Sequence, residues 1–367
     1  MTGTPALGRS PADSLPAADA RPSAAQAASA AAHPSAAVRP PVPDPASAGP
    51  RARARRAGAP PRRPMRPGQR ARARRRTLWI YAFLLPTVVL YGMYTLYPMI
   101  ASYWYSLVEW NGFTADQRFV GIDNYRAVLA DPMFWSAVRI TVVFMLIVTP
   151  LRVFGAFFLA MLLNSPKLPL SSFFRTLYFL PVVTTTAIVG VVMRFVLDPA
   201  SGPVSVLAGL LGLGPIDLLG SSATALTTAA LIYVWKFFGI TLIYWLAALQ
   251  TVPKDLYEAA RIDGAGAVAT FRHITLPLLI PFLAIITVLT VEDCFHAFDL
   301  MQTMTAGGPF YSTEIIEIYV YRYAFAATIP QLGFASAAAV LFGLLVLVVV
   351  GAQLWITMLA RRSGDRA

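Results

Sequence analysis

Five ionisable residues stand inside runs that are otherwise apolar: Arg152, Lys236, Glu292, Asp293 and His296. In lipid each costs a few kcal/mol unless it is paired or wetted, so they must face one another or a polar cavity. Glu292, Asp293 and His296, close together on one run, could relay protons. Alternatively, all five could form ion pairs or line a path for a polar solute, with Tyr233, Trp235, Tyr244 and Trp245 supplying aromatic faces. At about 1.5 Å per helical residue, Glu292 lies about 21 Å and Arg152 about 16 Å from the inner ends of their runs, heights that permit an ion pair between them.

Bond-making chemistry has little support. No G-x-x-x-x-G-K-[ST] loop is present to cradle nucleotide phosphates, so the chain cannot hydrolyse ATP alone and needs no cofactor of its own. The 3 His residues form no H-E-x-x-H or other metal spacing, and no G-x-S-x-G occurs. The single cysteine, Cys294, excludes an internal disulfide framework and reads as a packing residue.

The elements that hold these groups are membrane spans. Of 367 residues 57% are hydrophobic and only 13% charged, too apolar a mixture for an ordinary soluble domain. Six stretches approach the roughly 20 apolar residues that a crossing helix needs: 78–99, 140–163, 176–197, 224–249, 278–299 and 334–359. The stretches 203–219, broken by Gly and Pro, and 313–329, carrying Glu314, Glu317 and Arg322, read as interfacial or extracytoplasmic. The expected fold is therefore an all-α polytopic membrane protein with six transmembrane helices over 77–362 and a short cytoplasmic end at 363–367.

Charge sets its orientation. Residues 1–76 hold 15 of the 30 basic and 3 of the 18 acidic residues, so the whole net charge of +12 belongs to them and the remainder is neutral. Nucleic acid is thereby excluded as a partner of the body. Rich in Ala, Pro and Arg, 1–76 reads as a disordered cytoplasmic tail rather than a cleaved leader, since no apolar run occurs before Leu78. The 12 arginines of Arg51–Arg76 hold that flank in the cytoplasm and attract anionic lipid. Lys167, Arg175, Lys254, Arg261, Arg272, Arg361, Arg362 and Arg366 fall on proposed inner segments. Only Arg118, Arg126, Arg139 and Arg322 fall on outer ones, so both termini are expected inside.

The inner loop TVPKDLYEAARIDGAGAVATFRHITLP, 251–277, is too polar for lipid. Pro253 suits a first helical position, 256–262 a short helix, Gly264 a reversal, and 267–274 a second helix before Pro277. Ala259 and Ala260 are small enough for the first helix to sit deep in another protein's groove, with Glu258 and Arg261 at its rim.

The spacing Glu258-Ala259-Ala260, three residues, Gly264, nine residues, Ile274, one residue, Leu276-Pro277 resembles the signature of permease subunits of binding-protein-dependent ABC importers. FVGIDNYRAVLADPMFW, FFRTLYFLPVVTTTAIVGVVMRFVLDP and FDLMQTMTAGGPFYSTEIIEIYVYRYAF resemble the sugar-importing branch, the maltose and glycerol-phosphate type. The resemblance covers about residues 77–360. It implies ABC type I importer architecture, a coupling helix entering a cleft of an ATPase subunit, and ATPase-contacting or turn-forming roles for Glu258, Ala259, Ala260, Arg261, Asp263 and Gly264. The implied partners are a second permease subunit, an ATPase dimer that binds the ATP, an extracytoplasmic solute-binding protein and a carbohydrate, at the bacterial cytoplasmic membrane. Two departures stand out: Ile140 replaces an Asn usual before Thr141, and the Arg-rich tail has no counterpart. The rival reading, a proton-coupled secondary transporter using Glu292, Asp293 and His296, leaves the 258–277 pattern unexplained.

Overall fold

A computed structural model describes residues 67–164, 170–214 and 216–364. The disorder expected for 1–66, and Lys167, lie outside the described residues. The chain divides into Met1–Arg75 and Arg76–Ala367. In the first unit 67–75 are helical, the opening of α1, Pro67–Tyr91. This corrects the expectation of disorder up to residue 76: arginine is a good helix former, and the apolar span that follows supplies the length over which helix propagates.

Through a π turn at Gly92–Leu96, α1 continues into α2, Tyr97–Tyr105. Between Thr77 and Ile100 every residue except Gly92 is exposed, and none of this span's most apolar window is buried against its own chain. A two-stranded antiparallel hairpin follows, β1 at Val108–Glu109 and β2 at Arg118–Phe119, so the protein is mostly helical rather than all-α. Asn124 on α3, Asp123–Ala130, fixes the hairpin by donating to the carbonyls of Ser106 and Val108.

The second span, α4, runs Pro132–Leu163, starting eight residues before the apolar window. Asp131 caps it, its carboxylate accepting from the Met133 N–H, and Pro132 occupies the first turn where a missing N–H costs nothing.

The third span is corrected most. It is two helices, α5 at Ser171–Val183 and α6 at Thr186–Val196, bent by 97°. Pro181 removes one helical bond, and the β-branched run Val182-Val183-Thr184-Thr185-Thr186 is stiff in helical backbone, so the chain extends at Thr184 and Thr185 instead.

Then come α7, Pro203–Leu210, and the fourth span α8, Ala225–Gln250. Gly239 lets α8 touch α5 directly, since a Cβ there would fall on the Tyr178 carbonyl. The loop helices are α9, Lys254–Ile262, and α10, Ala267–Thr270. A π turn joins α10 to α11, Leu276–Cys294, and together they form one apolar helix of 28 residues. Its far end comes at Cys294, five residues short of the expected 299. Completing the chain are α12, Phe298–Met304, α13, Ile316–Tyr321, and α14, Leu332–Gly364. Among the described residues, five helices are long and apolar enough to cross a membrane, or six with the bent pair as one.

Three apolar clusters hold the bundle. One, around Phe157, Trp245 and Leu279, lies towards the 251–277 loop. A second centres on Phe144, Tyr233 and Met301, and a third joins Phe134 and Tyr319 to the small Ala337 and Ala338 of α14.

Candidate functional site

Within the loop, Pro253 is the residue before α9 rather than its first helical one, with extended ψ, and Val252 is buried beneath it. Asp255 in the first turn and Arg261 in the last complement the helix dipole. The helix stops in a Schellman motif: the Gly264 N–H donates to the Arg261 carbonyl and the Ala265 N–H to the Ala260 carbonyl, at 3.1 and 2.8 Å. This geometry requires a left-handed residue, and Gly264 supplies it at φ +76°.

Two faces of α9 are thereby separated. Tyr257 and Ala260, one helical turn apart, point inward; the Tyr257 hydroxyl meets Thr275 Oγ1 at 3.1 Å and Ala260 is buried. Ala260 is thus spent on packing within the chain and cannot line a partner's groove, which corrects the expectation made for it. Glu258, Ala259, Arg261, Asp263 and Gly264 are exposed. So are two apolar residues that the sequence reading missed, Ile262 at 85% and Val268 at 79% exposure. For Ile262 the available signal was phase: Glu258, Ala259 and Ile262, at i, i+1 and i+4, share the face of α9 opposite Tyr257 and Ala260. On α9, exposed Ile262 flanked by the exposed charges Glu258 and Arg261 has the composition of a docking surface.

The intramembrane charges fall into three separate arrangements. Arg152, fully buried on α4, does not pair with Glu292. Its Nη2 meets Asp293 Oδ2 at 2.9 Å and donates to Thr241 Oγ1 of α8 at 3.1 Å. Glu292 has the right height, but one residue along a helix turns the side chain by about 100°, which carries it away from α4. Glu292 instead meets His296 at 3.0 Å on an exposed surface. Among the described residues Lys236 bonds no carboxylate: its ammonium donates to the carbonyls of Pro181, Val182 and Thr184, at 3.1, 3.4 and 2.6 Å. These carbonyls lie at the α5–α6 break; that of Pro181 also accepts the Thr184 N–H at 3.3 Å, and a single cation bridges all three.

The aromatic faces are also sorted. Tyr233 and Trp245 are buried in the core, their polar atoms bonded to the backbone carbonyls of Asp293 and Val153, so they pack rather than line a path. Trp235 and Tyr244 are exposed. Cys294 is buried, as expected.

Away from the loop, Thr141 accepts the Ile316 N–H at 3.0 Å, tying α13 to α4 beside the apolar Ile140. Asp131 accepts from the hydroxyls of Tyr319 and Tyr323, and buried Glu314 pairs with Arg322 Nε at 2.7 Å. Burial raises the Glu314 carboxyl above its ordinary range, with Arg322 opposing. Burial likewise lifts Glu317 to about 7, against a hydrogen bond from the Phe298 backbone and the nearby His296. On this end a cleft of about 690 Å³ is lined by the hairpin, Asp123, Asn124 and Ile329–Gln331.

Residues 152–362 match the family described as "Binding-protein-dependent transport system inner membrane component". The chain is 32% identical over 262 residues to the probable ABC transporter permease protein YurN of Bacillus subtilis, covering 71% of this chain and 89% of that protein. It is 31% identical over 272 residues to the lactose transport system permease protein LacF of Rhizobium radiobacter, covering 73% and 90%. Its fold matches, at a TM-score of 0.69 and 22% identity, a chain in the crystal structure of a bacterial ABC transporter involved in the import of the acidic polysaccharide alginate, covering 79% of this chain and 98% of that one.

Proposed function

Since the chain belongs to the binding-protein-dependent transport system inner membrane components, the permease subunits of ABC transporters, we propose that it moves a carbohydrate and is driven through the face of α9 that carries Glu258, Ala259, Arg261 and Ile262. The chain is a multi-pass inner-membrane protein and is not itself the ATPase. The observation that carries the coupling role is the separation of faces on α9: one stripe fixed to the chain's own core, the other exposed, apolar at its centre and charged at its rim.

In this reading both termini are cytoplasmic, the architecture is that of a type I importer, and an ATPase dimer docks on α9, with Asp263 and Gly264 setting the turn. The exposed first span offers its apolar surface to lipid and to a second permease subunit, since a helix with nothing buried against its own chain needs apolar surroundings from elsewhere. An extracytoplasmic binding protein delivers the solute at the opposite end, where the 690 Å³ cleft opens among Glu109, Asp116 and Asp123. The carbohydrate assignment is supported by the lactose permease among the relatives and by the resemblance in 173–199 and 298–325. Glu292 and His296, exposed at the far end of α11, are the charged groups free to meet a solute; Arg152, Lys236 and Asp293 position helices.

Co-purification tests the reading. The chain should bring down a Walker-motif ATPase, Ile262→Glu should release it, and uptake in proteoliposomes should require ATP. Uptake that persists without any ATPase and collapses with the proton gradient would overturn the reading in favour of a secondary transporter.

A further inference from the structure

We infer that the Arg152–Asp293 pair is the pivot about which the coupling loop's displacement becomes movement of the spans. The inference rests on the proposed docking of an ATPase at α9; the pair itself stands on independent geometry.

α10, the π turn and α11 form one continuous helix from Ala267 to Cys294, so Asp293 lies about 39 Å along the axis from the loop end. A helix of this kind transmits force along its length. What matters is where it is held.

Towards the loop its buried contacts with α4 and α8 are apolar, through Leu279 and Ile286, while Thr275 bonds Tyr257 of α9, which belongs to the loop itself. Thr290 Oγ1 and Cys294 Sγ donate to carbonyls of their own helix, and Thr149 reaches Cys294 only at 3.8 Å. Apolar contacts between packed helices slide at small cost, as in shear motions.

At Asp293 the helix is fixed from two sides. Its carboxylate meets Arg152 of α4, and its backbone carbonyl accepts the Tyr233 hydroxyl of α8 at 2.6 Å. Arg152 also holds Thr241, which closes a triangle among α4, α8 and α11. The guanidinium is 0% exposed, and its Nε and Nη1 are buried without partners, so Asp293 is the one carboxylate bonded to it among the described residues. Moving α11 off this contact would strand a buried cation, which is strongly unfavourable. The helix therefore rotates about residue 293 while its loop end swings. One residue later it ends, at Cys294, and from the cap Phe295 the chain turns into α12.

The test uses the complete complex in proteoliposomes with ATP as the only added probe. Asp293→Asn keeps the shape and removes the charge. It should raise ATP hydrolysis in the absence of binding protein by about fivefold or more, the span of ordinary coupling free energies, while ATPase association with the permease stays unchanged. The double exchange Arg152→Asp with Asp293→Arg should return hydrolysis to within about twofold of the original, because it restores opposite charges at the pivot. If Asp293→Asn fails to fold or to insert into the membrane, Asp293→Glu, which keeps the charge and lengthens the arm, should fold and still raise hydrolysis.

Unchanged hydrolysis in an assembled variant would reduce the pair to a structural tie and overturn the inference. Loss of ATPase association in Asp293→Asn would overturn it too, since the pivot lies far from the docking face. An original complex that never associates with an ATPase through α9 would instead remove the functional reading on which the pivot rests.

Discussion

Replacing Gly264 isolates the turn that presents α9. At φ +76° the residue is left-handed, and a Cβ there would meet nothing within 4 Å, so the cost of a side chain is conformational alone. For alanine that cost is about 1–2 kcal/mol, somewhat less for asparagine and more for a β-branched residue. The two closing hydrogen bonds, Gly264 N–H to Arg261 and Ala265 N–H to Ala260, depend on the same backbone. A penalty of 1–2 kcal/mol lowers the population of the formed turn by roughly 5–30-fold against alternatives of equal energy, and docking affinity falls with it. Titrating purified ATPase against the permease should therefore rank affinity Gly, Asn, Ala, Val in descending order. Thermal stability of the spans should barely change, because no core contact is touched. If Gly264→Val binds like the original, or Gly264→Asn binds worse than Gly264→Val, the Schellman turn does not present the docking face.

Ile262→Glu removes an apolar side chain at 85% exposure, so folding should be unaffected while ATPase affinity drops by about 10–100-fold, the loss of one anchored aliphatic contact, read in the same titration. Lys236→Met withdraws the cation from three carbonyls at the α5–α6 break and should cost about 2–4 kcal/mol, seen as a lower unfolding midpoint in detergent; an unchanged midpoint would mean that the bend holds itself. Glu317 has its carboxyl raised by burial from 4.5 to about 7, so the folded protein binds the proton more tightly than the unfolded chain does. Stability should be greatest below pH 4.5 for this group and fall as pH rises to 7, by up to about 3 kcal/mol. Glu317→Gln should flatten that slope in a pH series of thermal midpoints.

The loop could be read from sequence because its determinants are local. Asp255 and Arg261 at the two helix ends, Gly264 one residue past the cap, and polarity too high for lipid all act within a dozen residues. The start of α4 was hidden by a competing signal. Arg139 depresses the apolar average, whereas the Asp131-Pro132 pair, which sets the boundary, carries no hydropathy information. The break in the third span was hidden in the same way, because Val and Thr are apolar enough to pass a hydropathy window and only their β-branching disfavours helix.

Charges within the membrane divide by what positions them. Height along a span follows from counting residues, and it brought Arg152 level with the end of the fifth span. Azimuth depends on which stripe of the helix is buried, and that stripe runs through Ile286, Thr290 and Cys294. Asp293 lies on it, seven residues after Ile286 and three after Thr290, where Glu292 does not. The partner of Arg152 was therefore available to a phase argument that uses the small and β-branched residues of the stripe as well as the carboxylates. Lys236 admits no such argument: its partners are backbone carbonyls that become free only once the third span has broken, and that break must be found first.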